Sequence, residues 1–445
     1  MSPAAQMHAP LLPSSSTEDD SRRTSVSGAV FNVSTSIIGG GIMSIPATLK
    51  VLGVAPAFML IVAIACLANV SVEFLLRFTN AGQSVTYAGV MRESFGHVGS
   101  VAVQVSVLVT NFGCLIVYLI IMGDVLSGNK PGDGSIHIGV LQEWFGSYWW
   151  NSREFALLFT VIFVLLPLVL FRRVESLKFS SAVSVLLAVV FVGISSVLAL
   201  VALFEGRMQS PRWLPDLNNK AAFFDLFTAV PVIVTAFTFH FNVHPISFEL
   251  GKPSYMISAV WISLLLCATI YFATGIFGYL LFGDSIMSDI LVNFDRASGS
   301  GGEFLGPILN DAVRLSYAMH LMLVFPLLNF SLRSNIDEFL FSDKRHAPLA
   351  ADSRRFVALT IALLVISYVA AIAFPNIWYL FQFIGSTSAV CLAFIFPGAM
   401  VLRDVHGIST SRDRIVAVAM VGLAVITSVI AISKNVYSMW QHSSS

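Results

Sequence analysis

Charge is what this chain has least of. Only 11% of its 445 residues are Asp, Glu, Lys or Arg, against about 25% in a soluble domain. The 25 basic and 25 acidic side chains cancel, so no excess of positive charge recommends nucleic acid as a partner. Cysteine is scarce as well. Cys66, Cys114, Cys267 and Cys391 all fall inside apolar runs, with no CxxC pair and no metal-ligand spacing, which excludes a disulfide framework in the loops and a zinc module. Asn-x-Ser/Thr triplets are missing from the hydrophilic loops. Those at Asn32, Asn69 and Asn329 lie in or at the edge of apolar runs, which hints at an internal membrane. No convergent nucleophile, base and metal-ligand set is present, so no catalytic residue, metal or cofactor is expected. No repeated filter residues of a channel are visible either. The first 26 residues lack the apolar core of a signal peptide. They are Pro/Ser-rich, with Glu18-Asp19-Asp20 and Arg22-Arg23, and read as a disordered cytosolic tail. Leu11-Leu12 within it is either a sorting signal or an ordinary leucine pair.

What is abundant is hydrophobicity, at 56% of residues. Runs of about 20 apolar residues mark membrane-spanning helices. Eleven are expected, at 27–49, 53–77, 98–126, 153–171, 178–203, 225–247, 256–281, 308–332, 355–374, 376–401 and 413–434. With the N-terminus cytosolic, 16 of the 25 lysines and arginines fall on the cytosolic side and 8 on the far side, with Arg314 inside a span. That bias supports a cytosolic N-terminus and, with eleven spans, a C-terminal tail (435–445) on the far, luminal side.

The first span contains Gly39-Gly40-Gly41 near its middle. Each glycine costs a helix about 1 kcal/mol relative to alanine. Three in a row cannot all face one packing partner, because successive residues are 100° apart. The run therefore predicts an unwound segment. Backbone groups freed in lipid are tolerated only where they line a cavity, and the N–H groups opening the second half-helix suit a carboxylate. Before the break stand Asn32, Ser34, Thr35 and Ser36, as interhelical hydrogen-bonding groups or as a cation and substrate site. The sixth span carries His240, Asn242, His244 and Pro245 in its second half, and proline interrupts a helix. Two interrupted helices five spans apart predict an inverted repeat of five plus five helices, 27–203 and 225–401, with 413–434 as an added helix.

His240 and His244, four apart, share a helix face. They are packed histidines, a proton site in the pathway, or an HxxxH metal pair lacking a third ligand. Asp311 and Arg314, three apart on span eight, are positioned to pair along the helix. His320 lies deeper on the same span. Glu73 and Arg77 form an i, i+4 pair read as structural.

Val30-Phe-Asn-Val-Ser with Ile37-Ile-Gly-Gly-Gly-Ile-Met, Phe241-Asn-Val-His-Pro-Ile with Glu249-Leu, Val313-Arg-Leu with Phe325-Pro, and Phe381-Gln-Phe-Ile-Gly-Ser-Thr-Ser with Ala393-Phe-Ile-Phe-Pro resemble the amino acid/auxin permease family. The likeness covers the chain after about residue 25. It lies with the sodium-coupled neutral amino acid transporter branch and with plant vacuolar amino acid transporters. The resemblance implies an all-α integral membrane protein of eleven transmembrane helices, with helices one and six broken. It implies a secondary amino acid transporter working as a monomer, with the substrate held between the breaks. The expected substrate contacts are Ser36, Ile37, Gly39, Gly40, Gly41, Thr238, Phe239 and His240. Asn32 matches the family's sodium-associated asparagine, and His244 the histidine of a Cys-His-Pro-like motif in which Val243 replaces the cysteine. The sodium-binding animal members place a threonine on helix eight before the proline. Leu315 to Pro326 has none, which favours proton coupling or facilitated flux over sodium. Asp311, Ser316 and His320 join Asn32 and His244 as ion-coupling candidates. A vacuolar membrane, with export of acidic or neutral amino acids to the cytosol, is the expected setting. An amino acid sensor with little transport, or a sodium-coupled plasma-membrane importer, is the alternative.

Overall fold

An α-helix closes its own backbone hydrogen bonds, which is why apolar chains cross membranes in this form. The computed structural model describes residues 25–128, 137–170, 178–217, 220–250, 253–295, 306–340, 349, 352–374 and 376–444. Among them, nine helices are long and apolar enough to cross a bilayer, or ten if one bent pair counts as a span. Of the expected tail over 1–26, residues 1–24 lie outside the described residues, and the first helix already begins at Val26.

The bent pair is the first span. α1 (Val26–Ile37) and α2 (Ile45–Leu52) are joined by a 3-10 turn, Gly40–Ser44, and bend by 51°. α3 (Val54–Ala81) returns. α4 (Tyr87–Ser127) is kinked at Gly96, whose φ of 67° only glycine adopts easily. Short α5 (Val140–Phe145) lies in the following loop. The expected span at 153–171 is composite: α6 (Arg153–Phe159), a π segment at Thr160–Leu165, and α7 (Leu166–Val169). No single piece meets the length of a spanning helix, so the count of eleven is not reproduced. α8 (Lys178–Phe204) precedes the second broken span, α9 (Lys220–Ala236) and α10 (Val243–Glu249). α11 (Met256–Phe282), α12 (Gly306–Leu340) and α13 (Ser353–Ala373) follow. α14 (Ile377–Ile384) continues through two π segments into α15 (Phe396–Arg403). α16 (Ser411–Ser444) stays helical through most of the expected C-terminal tail.

The second break sits earlier than the proline suggested. The chain leaves the helix after Ala236, and a 3-10 turn at His240–Asn242 leads into α10. Pro245 lies in the first turn of α10, where a missing N–H removes no helical bond. The end of the molecule holding the start of α1 is called the near end below, and the opposite end the far end. α4, α9 with α10, and α14 with α15 are mostly buried, whereas α8, α13 and α16 are mostly open to the surroundings. The broken segments thus occupy the middle of the bundle.

Candidate functional site

The two breaks touch. A Cβ on Gly41 would meet the Cβ of Ala236 at 2.8 Å and its Cα at 2.9 Å, so only glycine permits this contact. Breaking a helix leaves carbonyls without donor partners, and tyrosine hydroxyls take them up. Tyr271 on α11 donates its proton between Ile37 O at 2.6 Å and Ala236 O at 3.1 Å, one carbonyl from each broken span. Tyr317 on α12 donates to Gly39 O at 2.7 Å. Tyr118 on α4 lies against Gly39 and Gly40. All three are buried inside apolar spans. Sequence reading passed over them, although a mid-membrane tyrosine needs a hydrogen-bond partner and was itself the signal.

Beside the breaks lies a cavity of about 350 Å³. Asn32, Thr35, Ser36, Ile37 and Gly39 to Gly41 line it from the first break, and Thr235, Thr238 and Asn242 from the second. The remaining wall includes Tyr118, Ser184, His320, Val324 and Phe381. No Asp, Glu, Lys or Arg is among the lining residues. The cavity extends from the break toward the near end, past Phe31, Phe241 and Ser331. On the far side it is roofed: Gly40 to Ser44 and Ile290 to Phe294 are all buried.

Of the expected substrate contacts, Ser36, Ile37, Gly39, Gly40, Gly41 and Thr238 line this cavity; Phe239 and His240 do not. Of the ion-coupling candidates, Asn32 and His320 line it, and His244, Asp311 and Ser316 do not. Ser36 and Thr35 hydroxyls donate to Asn32 O at 2.8 and 3.1 Å, and Thr238 to Val234 O at 2.6 Å. His320 approaches Ser184 O at 2.7 Å through Nδ1. A carbonyl only accepts, so Nδ1 carries the proton and Nε2 keeps the lone pair.

His240 and His244 instead clamp the second break to α3. Ser71 donates its one proton to Ala393 O, so His240 Nε2 donates to Ser71 Oγ at 2.7 Å. Thr79 likewise spends its proton on Leu75 O, and His244 Nε2 donates to Thr79 Oγ1 at 2.9 Å. His244 also stacks on Tyr87 with centroids 6.1 Å apart. Glutamine supplies an N–H in place of Nε2–H without titrating. His244→Gln is therefore expected to keep the wild-type pH profile of flux, with rates within about threefold. A flattened profile in proteoliposomes would return the proton to this residue.

Asp311 and Arg314 find their partners elsewhere than along the helix. Arg314 pairs with Glu143 of α5 at 2.8 Å, with both side chains almost fully buried. The Trp144 indole N–H donates to Asp311 at 2.8 Å. Ser316 donates to Val313 O on its own helix. Arg77 lies 4.0 Å from Glu73, as expected, and is held more closely by Asp413 of α16 at 2.9 Å. The four cysteines are all free thiols.

A cavity between two facing helix breaks, with hydroxyl and amide groups set in a largely apolar wall, closed at one end and continued toward the other, defines a membrane transporter of the broken-helix class. Sequence comparison narrows this. The family described as transmembrane amino acid transporter protein matches residues 22–440, and the chain belongs to it. Its members are transporters rather than enzymes. Amino acid transporter AVT6C of Arabidopsis thaliana is 62% identical, over 99% of this chain and 99% of that protein. Sodium-coupled neutral amino acid transporter 7 of Danio rerio is 25% identical, over 88% of this chain and 81% of its own. The crystal structure of MhsT in complex with L-phenylalanine shares the fold, with a TM-score of 0.57 at 14% identity, covering 91% of this chain and 97% of that one.

Proposed function

We propose that the chain carries an amino acid across an internal, vacuolar membrane into the cytosol by alternating access, coupled to protons and independent of sodium. The observation that carries this reading is the uncharged cavity at the paired breaks. The N–H groups that open the second half-helix at Gly40 and Gly41 have no helical acceptors of their own, and they suit a substrate carboxylate. With no charged side chain in the lining, an amino acid with an uncharged side chain fits best. An acidic side chain would find His320 as its one imidazole partner.

Sodium independence rests on the oxygens. A cation needs several of them, yet the Ile37 and Gly39 carbonyls already accept tyrosine protons. On α12 the lining residues Val324, Leu327 and Leu328 offer no oxygen, and Ser331, toward the near end, is its one hydroxyl in the lining. The repeat boundaries at 27–203 and 225–401, the added helix, a monomeric unit, a cytosolic N-terminus and a luminal C-terminus belong to the same proposal. Free cysteines and the lack of Asn-x-Ser/Thr triplets in the loops support an internal membrane.

Counterflow in proteoliposomes tests it, with glutamine against glutamate, at two pH values, with sodium or a large organic cation. Removing sodium is expected to change flux less than about twofold. One proton per substrate sustains at most about tenfold accumulation per pH unit, the equivalent of about 1.4 kcal/mol. A steep, saturable sodium dependence overturns the coupling assignment. Faster glutamate than glutamine exchange overturns the neutral-substrate assignment, and no counterflow with any amino acid favours a sensor.

A further inference from the structure

Among the described residues, the far-side roof buries one carboxyl beyond those held in ion pairs. Asp124 of α4 pairs with Arg153 at the start of α6, and Arg314 of α12 pairs with Glu143. Asp289 lies within reach of both pairs and is 1% exposed. It caps the 3-10 turn Ile290–Phe294, its Oδ1 accepting the Leu291 N–H at 2.9 Å. Its Oδ2 is buried and has no hydrogen-bond partner among the described residues. A carboxylate left in that condition is costly, because a buried charge needs a full set of partners.

This segment is the roof of the substrate cavity. Ser44, on the turn after the glycines, donates to Ser288 O at 2.7 Å, and Lys50 donates to Ile286 O at 3.2 Å. Tyr317, which holds Gly39 O, lies within range of the Asp289 charge. Among the described residues, the groups facing Asp289 are Asp124 from α4, Arg153 from α6, and Arg314 and Tyr317 from α12; Gly40 to Ser44 bring nothing titratable. On its own segment, Asp295 is partnered by His137 at 2.9 Å.

We propose that Asp289 is a proton-binding site that latches the far-side roof: it holds a proton while the roof is shut over the break, and gives it up to water when the roof opens. Among the described residues, its deprotonated form would add one negative charge beside two ion pairs; its protonated form adds none. Burial first, and then the Asp124 charge, hold the Asp289 carboxyl well above the usual carboxylate range, against the pull of the Leu291 N–H, Arg153 and Arg314. Since the shut roof binds the proton more tightly than the hydrated, open one, acid on the far side favours the shut form. The dependence lies above the ordinary carboxylate pKa of about 4 and reaches at most about tenfold per pH unit for one proton. The assignment rests on the proton-linked reading above and adds the residue that carries it.

Asp289→Asn keeps the volume and the Oδ1 acceptor for Leu291, and removes titration. Counterflow of glutamine in proteoliposomes, with far-side pH varied and near-side pH fixed, is the measurement. The wild type is expected to show a pH-dependent rate, and the variant a flat one fixed near the wild-type acid limit. If the wild type shows no far-side dependence, both the proton-linked reading and this site fail. If the wild type responds and Asp289→Asn keeps the same slope, only this site fails. Asp289→Glu, which still titrates but moves the carboxyl by one methylene, covers the case in which the asparagine variant does not fold. A displaced midpoint supports the site and an unmoved one overturns it.

Discussion

Valine at Gly40 is expected to abolish transport while the protein still inserts at normal abundance. A Cβ there would meet Val117 Cγ1 at 2.9 Å and the Tyr118 ring at 3.2 and 3.3 Å. Overpacking of this kind costs about 1–3 kcal/mol, which alone depopulates the competent conformation by roughly 5- to 150-fold. The added branches also screen the N–H groups that a substrate carboxylate needs. Gly41→Ala probes the same site from the other side. Its Cβ would strike the Cα and Cβ of Ala236, and the Cα belongs to backbone that cannot rotate away, so the two breaks must separate. Uptake per inserted molecule, with abundance measured in parallel, decides. Wild-type kinetics in Gly40→Val would reduce the glycine run to a packing device.

The largest stability loss is expected from Arg314→Met. Methionine keeps much of the apolar stem and removes the guanidinium that pairs with Glu143 and donates to Ile138 O at 2.6 Å. Glu143 is left charged and buried, and breaking a buried pair from one side costs about 3–5 kcal/mol. Most of that penalty belongs to the buried carboxylate that has lost its guanidinium rather than to the lost attraction. Glu143→Gln placed on top of Arg314→Met should therefore recover a large part of it. Thermal unfolding in detergent checks both. If the single variant melts with the wild type, or the double variant melts no later than the single, the pair is not what fastens α5 to α12.

The first break was legible because its cause is local: three glycines in one apolar run have a backbone consequence wherever they occur. The second break was legible as an interruption and misplaced within it, because Pro245 draws attention to a position where proline fits a helix start. The histidines were read from their depth, their shared helix face and their titration range. Their roles came from proton accounting at Ser71 and Thr79, on α3, far away in the chain. The Asp311–Arg314 pairing failed for the same reason. Helical spacing brings two side chains near each other, but Glu143 and Trp144, about 170 positions away, offer the buried partners. Asp289 was invisible in sequence, standing in a hydrophilic stretch of the kind that is ordinarily solvated. Only the roof it belongs to makes it an interior group. The expected span at 153–171 has the composition of a helix, and its division by a π segment leaves no trace in hydropathy.

The hydrogen bond of Tyr271 has a mechanical consequence. One hydroxyl proton faces two acceptors, Ile37 O and Ala236 O, on opposite half-helices. When those half-helices slide past each other, the proton can turn from one oxygen to the other by rotating about a single C–O bond. The hydroxyl keeps one acceptor throughout, while the bond to the other half-helix is given up. Such a joint behaves as a bearing rather than a weld: it keeps a donor within reach of both halves and offers little resistance to their relative rotation. Phenylalanine at this position would leave the spacing to packing alone, and the pivot would lose its pin.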